Sequence, residues 1–392
     1  MLKAVIFDMD GVIVDTEPQH TRALIRAGEA FHATLSTEYC EQFIGKHMDD
    51  LVLTLQRDYP QITDGQAFAD KYNEYKIIIH EEEGLIPIEG TLNLMRSLHG
   101  HGIKVAIASS SEPYEINNVV KTFSLESYVD EAVSGSMVAH SKPAPDIFLL
   151  AAERLGVKPE ECIIIEDSMN GSIAASRANI TCIGYQNKSS GKQDLSRTCC
   201  IYEDMMSLDY EAVLEEYNRA HGLPVDILTT KRLQIKELAV SDIKELYKIY
   251  QQPGVTDFLP PLLSLEEEEE KHAAYIKHSY NFYRFGLWGI FLKDSNTLIG
   301  RAGLQCIDIH ETPEIELGYL ISPQYQRQGY ASECIGAIIQ YAKEYLELPS
   351  LVAVIHPENL ASITLAEKYG FQLESTITKN TGKYSIYRLF LS

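Results

Sequence analysis

Residues 4–12 read Ala4-Val5-Ile6-Phe7-Asp8-Met9-Asp10-Gly11-Val12. Four apolar residues predict a short buried strand, and two aspartates one residue apart close its carboxyl end. Side chains two apart in an extended chain point the same way. Both carboxylates therefore crowd one spot, where they repel unless a cation or a proton lies between them. Gly11 then lets the backbone turn away. Open α/β sheets bind ligands beyond the carboxyl ends of their strands. The stretch thus predicts a parallel sheet and an active site with a metal. The bland alternative is an Asp/Gly turn without chemistry, and the rest of the chain decides between them.

Outward from this point, strand-like runs recur at 3–8, 103–108, 162–166 and 180–184, with helical patterns at about 89–99, 144–155 and 170–178. Such alternation predicts an α/β fold with a doubly wound parallel sheet. Residues 16–84 interrupt it with mostly helical patterns, Glu17 to Phe31 and Gln66 to His80, and read as a helical cap inserted after the first strand. The rhythm ends near 219. A linker is expected at 220–228, and then an α+β domain with a mostly antiparallel sheet over 229–392. Its strands are expected at 231–237, 287–293, 297–306, 313–321 and 351–355, with a hairpin at 371–390. Its helices are expected at 241–251, 265–281, 329–346 and 359–369.

Bulk properties bound the function. At 392 residues and 45% apolar content, two cored domains are the default. A net charge of -22 argues against nucleic-acid and anionic-membrane partners. No apolar run reaches the length of a membrane span, and no signal-peptide pattern precedes the first strand. Seven cysteines lack metal-type spacing, which fits reduced thiols and a cytoplasmic protein. The Glu266–Glu270 run reads as a solvated helix face. If the substrates are anions, a metal, single lysines and helix N-termini must supply positive potential locally.

Four features of the first domain leave the core at one sheet edge: Asp8/Asp10, Ser109 after 105–108, Lys142 in Ser141-Lys142-Pro143, and Glu166-Asp167 after 163–165. Acid pairs from two strands form a hard-oxygen site suited to Mg²⁺. Ser109 and Lys142 add a hydroxyl donor and a charge for a phosphate. Taken singly they could be a helix cap, a surface lysine and a helix start. Together they describe phosphoryl transfer.

The order FDMDGV, SSS, SKPAPD and IIEDSMNG resembles the haloacid dehalogenase superfamily over about residues 1–215, and within it the beta-phosphoglucomutase-like phosphatases with a helical cap. The resemblance implies that Asp8 attacks phosphorus and that Asp10 serves as acid and then base. It implies Mg²⁺ on Asp8, the Asp10 carbonyl and Asp167, with Glu166 nearby, and Ser109 and Lys142 on the transferring group. In the mutase a cap arginine and lysine hold a second phosphate. Here the loop Gly45-Lys46-His47-Met48-Asp49-Asp50 has no arginine. Lys46 and Lys76 are the candidate substitutes, and His20 stands where the mutase has a histidine. The missing arginine favours hydrolysis of a small phosphorylated metabolite, with sugar-phosphate mutase the alternative.

In the second domain, Gln326-Arg327-Gln328-Gly329-Tyr330-Ala331 lies between a strand and an amphipathic helix. Backbone N–H groups at such a turn form an anion site, and Gly329 permits close approach to a pyrophosphate. The bland reading is an ordinary strand-to-helix loop. With Asn359-Leu-Ala-Ser362 and 366–371 following, the order resembles the GNAT N-acetyltransferases over about 229–392. The opening 230–233 and the strand 316–321 look like the ribosomal-protein alanine acetyltransferase branch. That resemblance implies acetyl-CoA held by residues 326–331, Ile321 and Asn359, and an amine acceptor, either a small molecule or a protein N-terminus. Ala366 occupies the position of the family's usual tyrosine acid, so Ser362 is the candidate acid and Glu316 the candidate base. A non-catalytic acetyl-CoA sensor is the competing reading of this domain.

Overall fold

Strand β1 (Ala4–Phe7) pairs in parallel with β2 (Lys104–Ser109) on one side and β4 (Cys162–Glu166) on the other. With β3 (Glu131–Ser134), β5 (Thr181–Tyr185) and β6 (Cys200–Tyr202) the order is β3-β2-β1-β4-β5-β6, parallel throughout. The chain winds outward from β1 in both directions, so the switch point lies between β1 and β4, where such sheets bind ligands. The computed structural model describes residues 1–44, 48–259, 261–309, 311–379 and 382–391. It divides into two compact units, Met1–Ala220 and His221–Ser392.

Alternate residues of β1 serve opposite faces. Val5 and Phe7 join a core completed by α5 (Thr91–Gly100), α6 (Pro113–Thr122) and α9 (Tyr210–Ala220). Ala4 and Ile6 face α7 (Asp146–Leu155) and α8 (Met169–Arg177). The inserted segment forms α1 (Glu17–Ala30), α2 (Thr37–Glu41), α3 (Met48–Asp58) and α4 (Gly65–Glu83) around a core of its own. Strands β3 and β6 are absent from the sequence reading. They are only four and three residues long and become strands by pairing at the sheet edges.

In the second unit, β7 (Asp226–Thr229), β8 (Leu233–Lys236), β9 (Leu287–Leu292), β10 (Leu298–Ile309), β11 (Thr312–Ile321), β12 (Ser350–Ile355), β13 (Gln372–Lys379) and β14 (Gly382–Phe390) form one sheet. Its order is β13-β14-β12-β11-β10-β9-β8-β7. Residues 226–229, expected as the end of the linker and the domain start, are instead an edge strand. Ile227 and Leu228 pack on the core while Asp226 pairs in register with Lys236. The helix expected at 265–281 is α11 (Leu265–Tyr275) followed by a π turn at Ile276–Tyr280 and the short α12 (Asn281–Tyr283). α10 (Ile243–Tyr250) packs with α11 on one face of the sheet, and α13 (Tyr330–Glu344) packs against the other. α14 (Leu360–Lys368) follows β12. β11 and β12, the parallel pair, meet through the single register pair Glu316–Val352. Beyond it the two strands part.

Candidate active sites

β1 and β4 end side by side, so Asp8 and Glu166-Asp167 emerge together at the switch point. Asp8, Glu166 and Asp167 are buried, and their carboxylate oxygens lie within 4.8 Å of one another. Lys142 enters the group from the loop before α7. Its Nζ donates to Asp8 Oδ1 and to Glu166 Oε1, each at 2.6 Å. Glu166 Oε2 accepts from the backbone N–H and the hydroxyl of Ser168, the N-cap of α8, at 2.8 and 2.9 Å. Glu166 is thereby held by Lys142 on one oxygen and by Ser168 on the other. The Ser190 hydroxyl donates to Asp167.

Burial pushes the Asp8 carboxyl up to about 8 against the pull of Lys142, with repulsion from Glu166 and Asp10 adding to it. Asp167 is pushed well above the usual carboxylate range by burial, then by Glu166 and Asp8. Burial opposes the Lys142 charge, but Asp8 and Glu166 outweigh it and hold the ammonium above its ordinary value. Three buried carboxylates facing one ammonium leave surplus negative charge, which is costly in a low-dielectric site. An all-oxygen donor set with that surplus fits Mg²⁺. The backbone is shaped for a close approach here. Gly11 has φ +84°, and a Cβ on it would lie 2.0 Å from Asp167 Oδ2.

Asp10 points away from this group. Its Oδ1 accepts from Thr16 at 2.6 Å, and its Oδ2 accepts from Ser111 at 2.7 Å and Ser109 at 3.2 Å. Burial opposes ionisation of Asp10, but His20, the Thr16 and Ser111 hydrogen bonds and Lys76 outweigh it and hold the carboxyl below its ordinary value. His20 Nε2 lies 4.0 Å from Asp10, and burial pushes this imidazole down to about 3. Sequence reasoning missed Thr16, Ser111, Ser168 and Ser190. The serine run at 109–111 is the signal that could have flagged Ser111.

A cavity of about 590 Å³ opens between these residues and the helical insertion, with His20, Asp49 and Lys76 in its wall. Lys76 pairs with Glu115 on α6 at 2.5 Å, so the structure joins α4 to the sheet domain through the very lysine expected to hold a second phosphate. Lys46 lies outside the described residues.

In the second unit, Pro323–Tyr325 form one helical turn and Gln326 Nε2 ties back to the Ile321 carbonyl at 2.9 Å. Arg327 and Gly329 take positive φ, +57° and +83°, and α13 begins at Tyr330. The N–H groups of that first turn have no partner within the helix. Arg232 braces the loop: it pairs with Glu333, donates to the Gln328 carbonyl and lies over the Tyr330 ring. Ala331 opens the second position of α13. The anion-receiving loop and the parting of β11 from β12 fit a coenzyme with a pyrophosphate and a slender arm.

Where those strands part, a cavity of about 320 Å³ brings together Glu316, Asn359 and Ser362. Glu316 Oε2 accepts from Gln305 at 2.6 Å. Asn359 caps α14 by accepting from the Ser362 N–H at 3.2 Å. The Ser362 hydroxyl lies 3.1 Å from that of Tyr319, a β11 residue that the sequence reading did not single out. Tyr319 and Ala366 line the same cavity, so a phenol from the sheet stands where the helix lacks one. All seven cysteines are free thiols. Among the described residues no helix is long and apolar enough to cross a membrane.

Comparison with known proteins follows the same division. The haloacid dehalogenase-like hydrolase family matches residues 5–185, and the acetyltransferase (GNAT) domain family matches residues 232–372. The phosphorylated carbohydrates phosphatase of Thermotoga maritima is 31% identical over 185 residues, covering 46% of this chain and 82% of that protein. The fructose-1-phosphate phosphatase YqaB of Escherichia coli is 29% identical over 191 residues, covering 45% and 93%. The crystal structure of beta-phosphoglucomutase from Clostridium difficile shares 26% identity over 56% of this chain and 99% of that one, with a TM-score of 0.51.

Proposed function

Because the chain belongs to the haloacid dehalogenase-like hydrolases and bears a GNAT acetyltransferase domain, we propose that it is a bifunctional enzyme: a Mg²⁺-dependent sugar-phosphate phosphatase, followed by an acetyl-CoA-dependent N-acetyltransferase. The phosphatase reading rests on the Asp8–Lys142–Glu166 chain with Asp10 held apart from it. Asp8 attacks phosphorus, and an Asp8 O–P bond forms as the ester P–O bond breaks. Asp10, ionised in the resting site, takes up a proton from solvent when the anionic substrate binds beside it and delivers that proton to the leaving oxygen. Asp10 then takes a proton from water as that water attacks phosphorus, which frees Asp8 and inorganic phosphate. Lys142 offsets charge between Asp8 and the phosphoryl oxygens, and Ser109 holds one of those oxygens. Asp8, Asp167 and the Asp10 carbonyl would hold Mg²⁺, which would supply further positive charge against the transferring group.

The absence of an arginine from residues 45–50 supports hydrolysis over the mutase reaction. The sugar assignment is supported by the carbohydrate-phosphate substrates named for the Thermotoga and Escherichia relatives.

In the second domain the amine attacks the thioester carbonyl directly. Glu316 accepts the amine's proton, and the Ser362–Tyr319 hydroxyl pair protonates the leaving thiolate. The order of residues 230–233 and 316–321 supports an amine acceptor, either a small molecule or a protein N-terminus. A phosphate-release screen over phosphorylated sugars with and without Mg²⁺, repeated with acetyl-CoA and amines, tests both halves. Release from sugar monophosphates that stops in EDTA is the expected result. Interconversion without release would replace the phosphatase by a mutase, and acetyl-CoA binding without turnover would make the second domain a sensor.

A further inference from the structure

Among the described residues, Arg301 in the wall of the second cavity has no carboxylate at ion-pair distance, although Glu268 and Lys271 line the same cavity. Arg301 is half-buried in β10, and its side-chain partner among the described residues is the Tyr250 hydroxyl, which accepts from Nη1 at 2.6 Å. Elsewhere in the unit, Arg232 and Arg388 hold Glu333 and Glu314 at 2.7 Å. The chain has 56 acidic residues against 34 lysines and arginines, so carboxylates are abundant. With one N–H given to Tyr250, the guanidinium retains four further N–H donors. Tyr250 spends its acceptor on Arg301 and keeps its own O–H to give.

The sheet floor connects this point to the candidate base. Arg301 pairs in register with Leu320, Gly303 with Gly318, and Gln305 with Glu316. Residues two apart share a face, so Arg301 and the Gln305–Glu316 pair stand on one side of the sheet. The pair between them has no side chains. A Cβ on Gly318 would meet nothing nearer than Leu287 at 3.6 Å, whereas one on Gly303 would lie 1.9 Å from the Gly286 carbonyl oxygen, so the floor is open over Gly318 and covered by backbone over Gly303. Residues 301 and 305 lie roughly 13 Å apart along β10, and both line the cavity.

Resting on the acetyltransferase reading, we propose that the acceptor is an anionic amine: a primary amine joined by a sugar-sized or short-chain spacer to a phosphate or carboxylate. The nitrogen sits at Glu316, and the anion is bound by Arg301 with Tyr250. A planar fork of donors suits either anion.

The test uses the full chain saturated with coenzyme A in EDTA, so that phosphoryl chemistry is silent. Binding of 3-aminopropylphosphonate and of 4-aminobutyrate is measured by calorimetry against uncharged propylamine. At least one anionic probe should bind roughly ten- to a hundredfold tighter than propylamine, and which one does so separates phosphate from carboxylate recognition. Arg301→Gln should abolish the difference and Arg301→Lys should retain part of it, with coenzyme A binding reporting that each variant is folded. Equal binding of all three amines, or a preference that survives Arg301→Gln, overturns the proposal. Acetyl transfer is read separately with acetyl-CoA. Discriminating binding without transfer contradicts the acetyltransferase reading but not the anion site, whereas transfer that ignores the anion contradicts the anion site alone.

Discussion

The ammonium of Lys142 lies 2.6 Å from Oδ1 of Asp8, and both side chains are almost wholly removed from water. A nucleophile that must be ionised is thus held in a site that burial alone would protonate.

Removing the lysine tests that balance. Lys142→Met leaves Asp8 and Glu166 without their cation, and breaking a buried charge network this way costs about 3 kcal/mol or more. Denaturant unfolding of the first domain should register the loss, and phosphate release should fall at least a thousandfold. Adding Glu166→Gln should recover part of the stability and none of the activity, because the double variant removes the stranded charge but not the need for Lys142.

Gly11→Ala tests the metal cradle separately from the charges. A methyl group 2.0 Å from Asp167 Oδ2, at φ +84°, displaces that carboxylate. Phosphatase activity should require at least tenfold more Mg²⁺, while acetyl transfer by the other domain stays unaltered. A Mg²⁺ requirement equal to the native one would remove Asp167 from the site.

Tyr319→Phe isolates the hydroxyl pair of the second domain. If the Tyr319 phenol and Ser362 jointly supply the thiolate's proton, kcat should fall about tenfold or more with little change in KM for acetyl-CoA, and Ser362→Ala should behave alike. The double variant should then lose little beyond either single one, as expected for groups acting as a unit.

His272 gives the second domain a pH-dependent stability. Burial pushes this imidazole below its ordinary 6.5, and Nε2 hydrogen-bonds the Leu238 carbonyl at 2.8 Å. The unfolded chain binds a proton near pH 6.5 where the folded one does not. The contribution is therefore complete above that pH and is lost as the pH falls below it, by up to about 1.4 kcal/mol per unit. Trp288, the chain's single tryptophan, is buried in this unit and reports its unfolding by fluorescence. Between pH 7.5 and 5.5 the native chain should lose more stability than His272→Gln.

The site was legible where one residue's chemistry follows directly from its place on a strand. Asp8, Ser109 and Asp167 leave strands whose apolar runs are unmistakable, so their convergence could be read before any geometry. Thr16, Ser111 and Ser190 act through contacts that only folding creates, and as isolated hydroxyls they look like loop residues. Tyr319 and Arg301 were hidden for a different reason. Each lies inside a strand that reads as core, and only the cavity where β11 parts from β12 reveals them. The short strands β3, β6 and β7 were illegible because edge pairing, rather than composition, makes them strands.

The phosphatase mechanism requires that Asp8 become covalently phosphorylated. The most direct measurement is acid quenching of the full chain during turnover of a ³²P-labelled sugar phosphate with Mg²⁺, followed by peptide mapping. Label should appear on Asp8, be lost on chasing with unlabelled substrate and be absent from Asp8→Asn, which should also release phosphate at least a thousandfold more slowly. Full phosphate release by Asp8→Asn, or label at another residue, would contradict it.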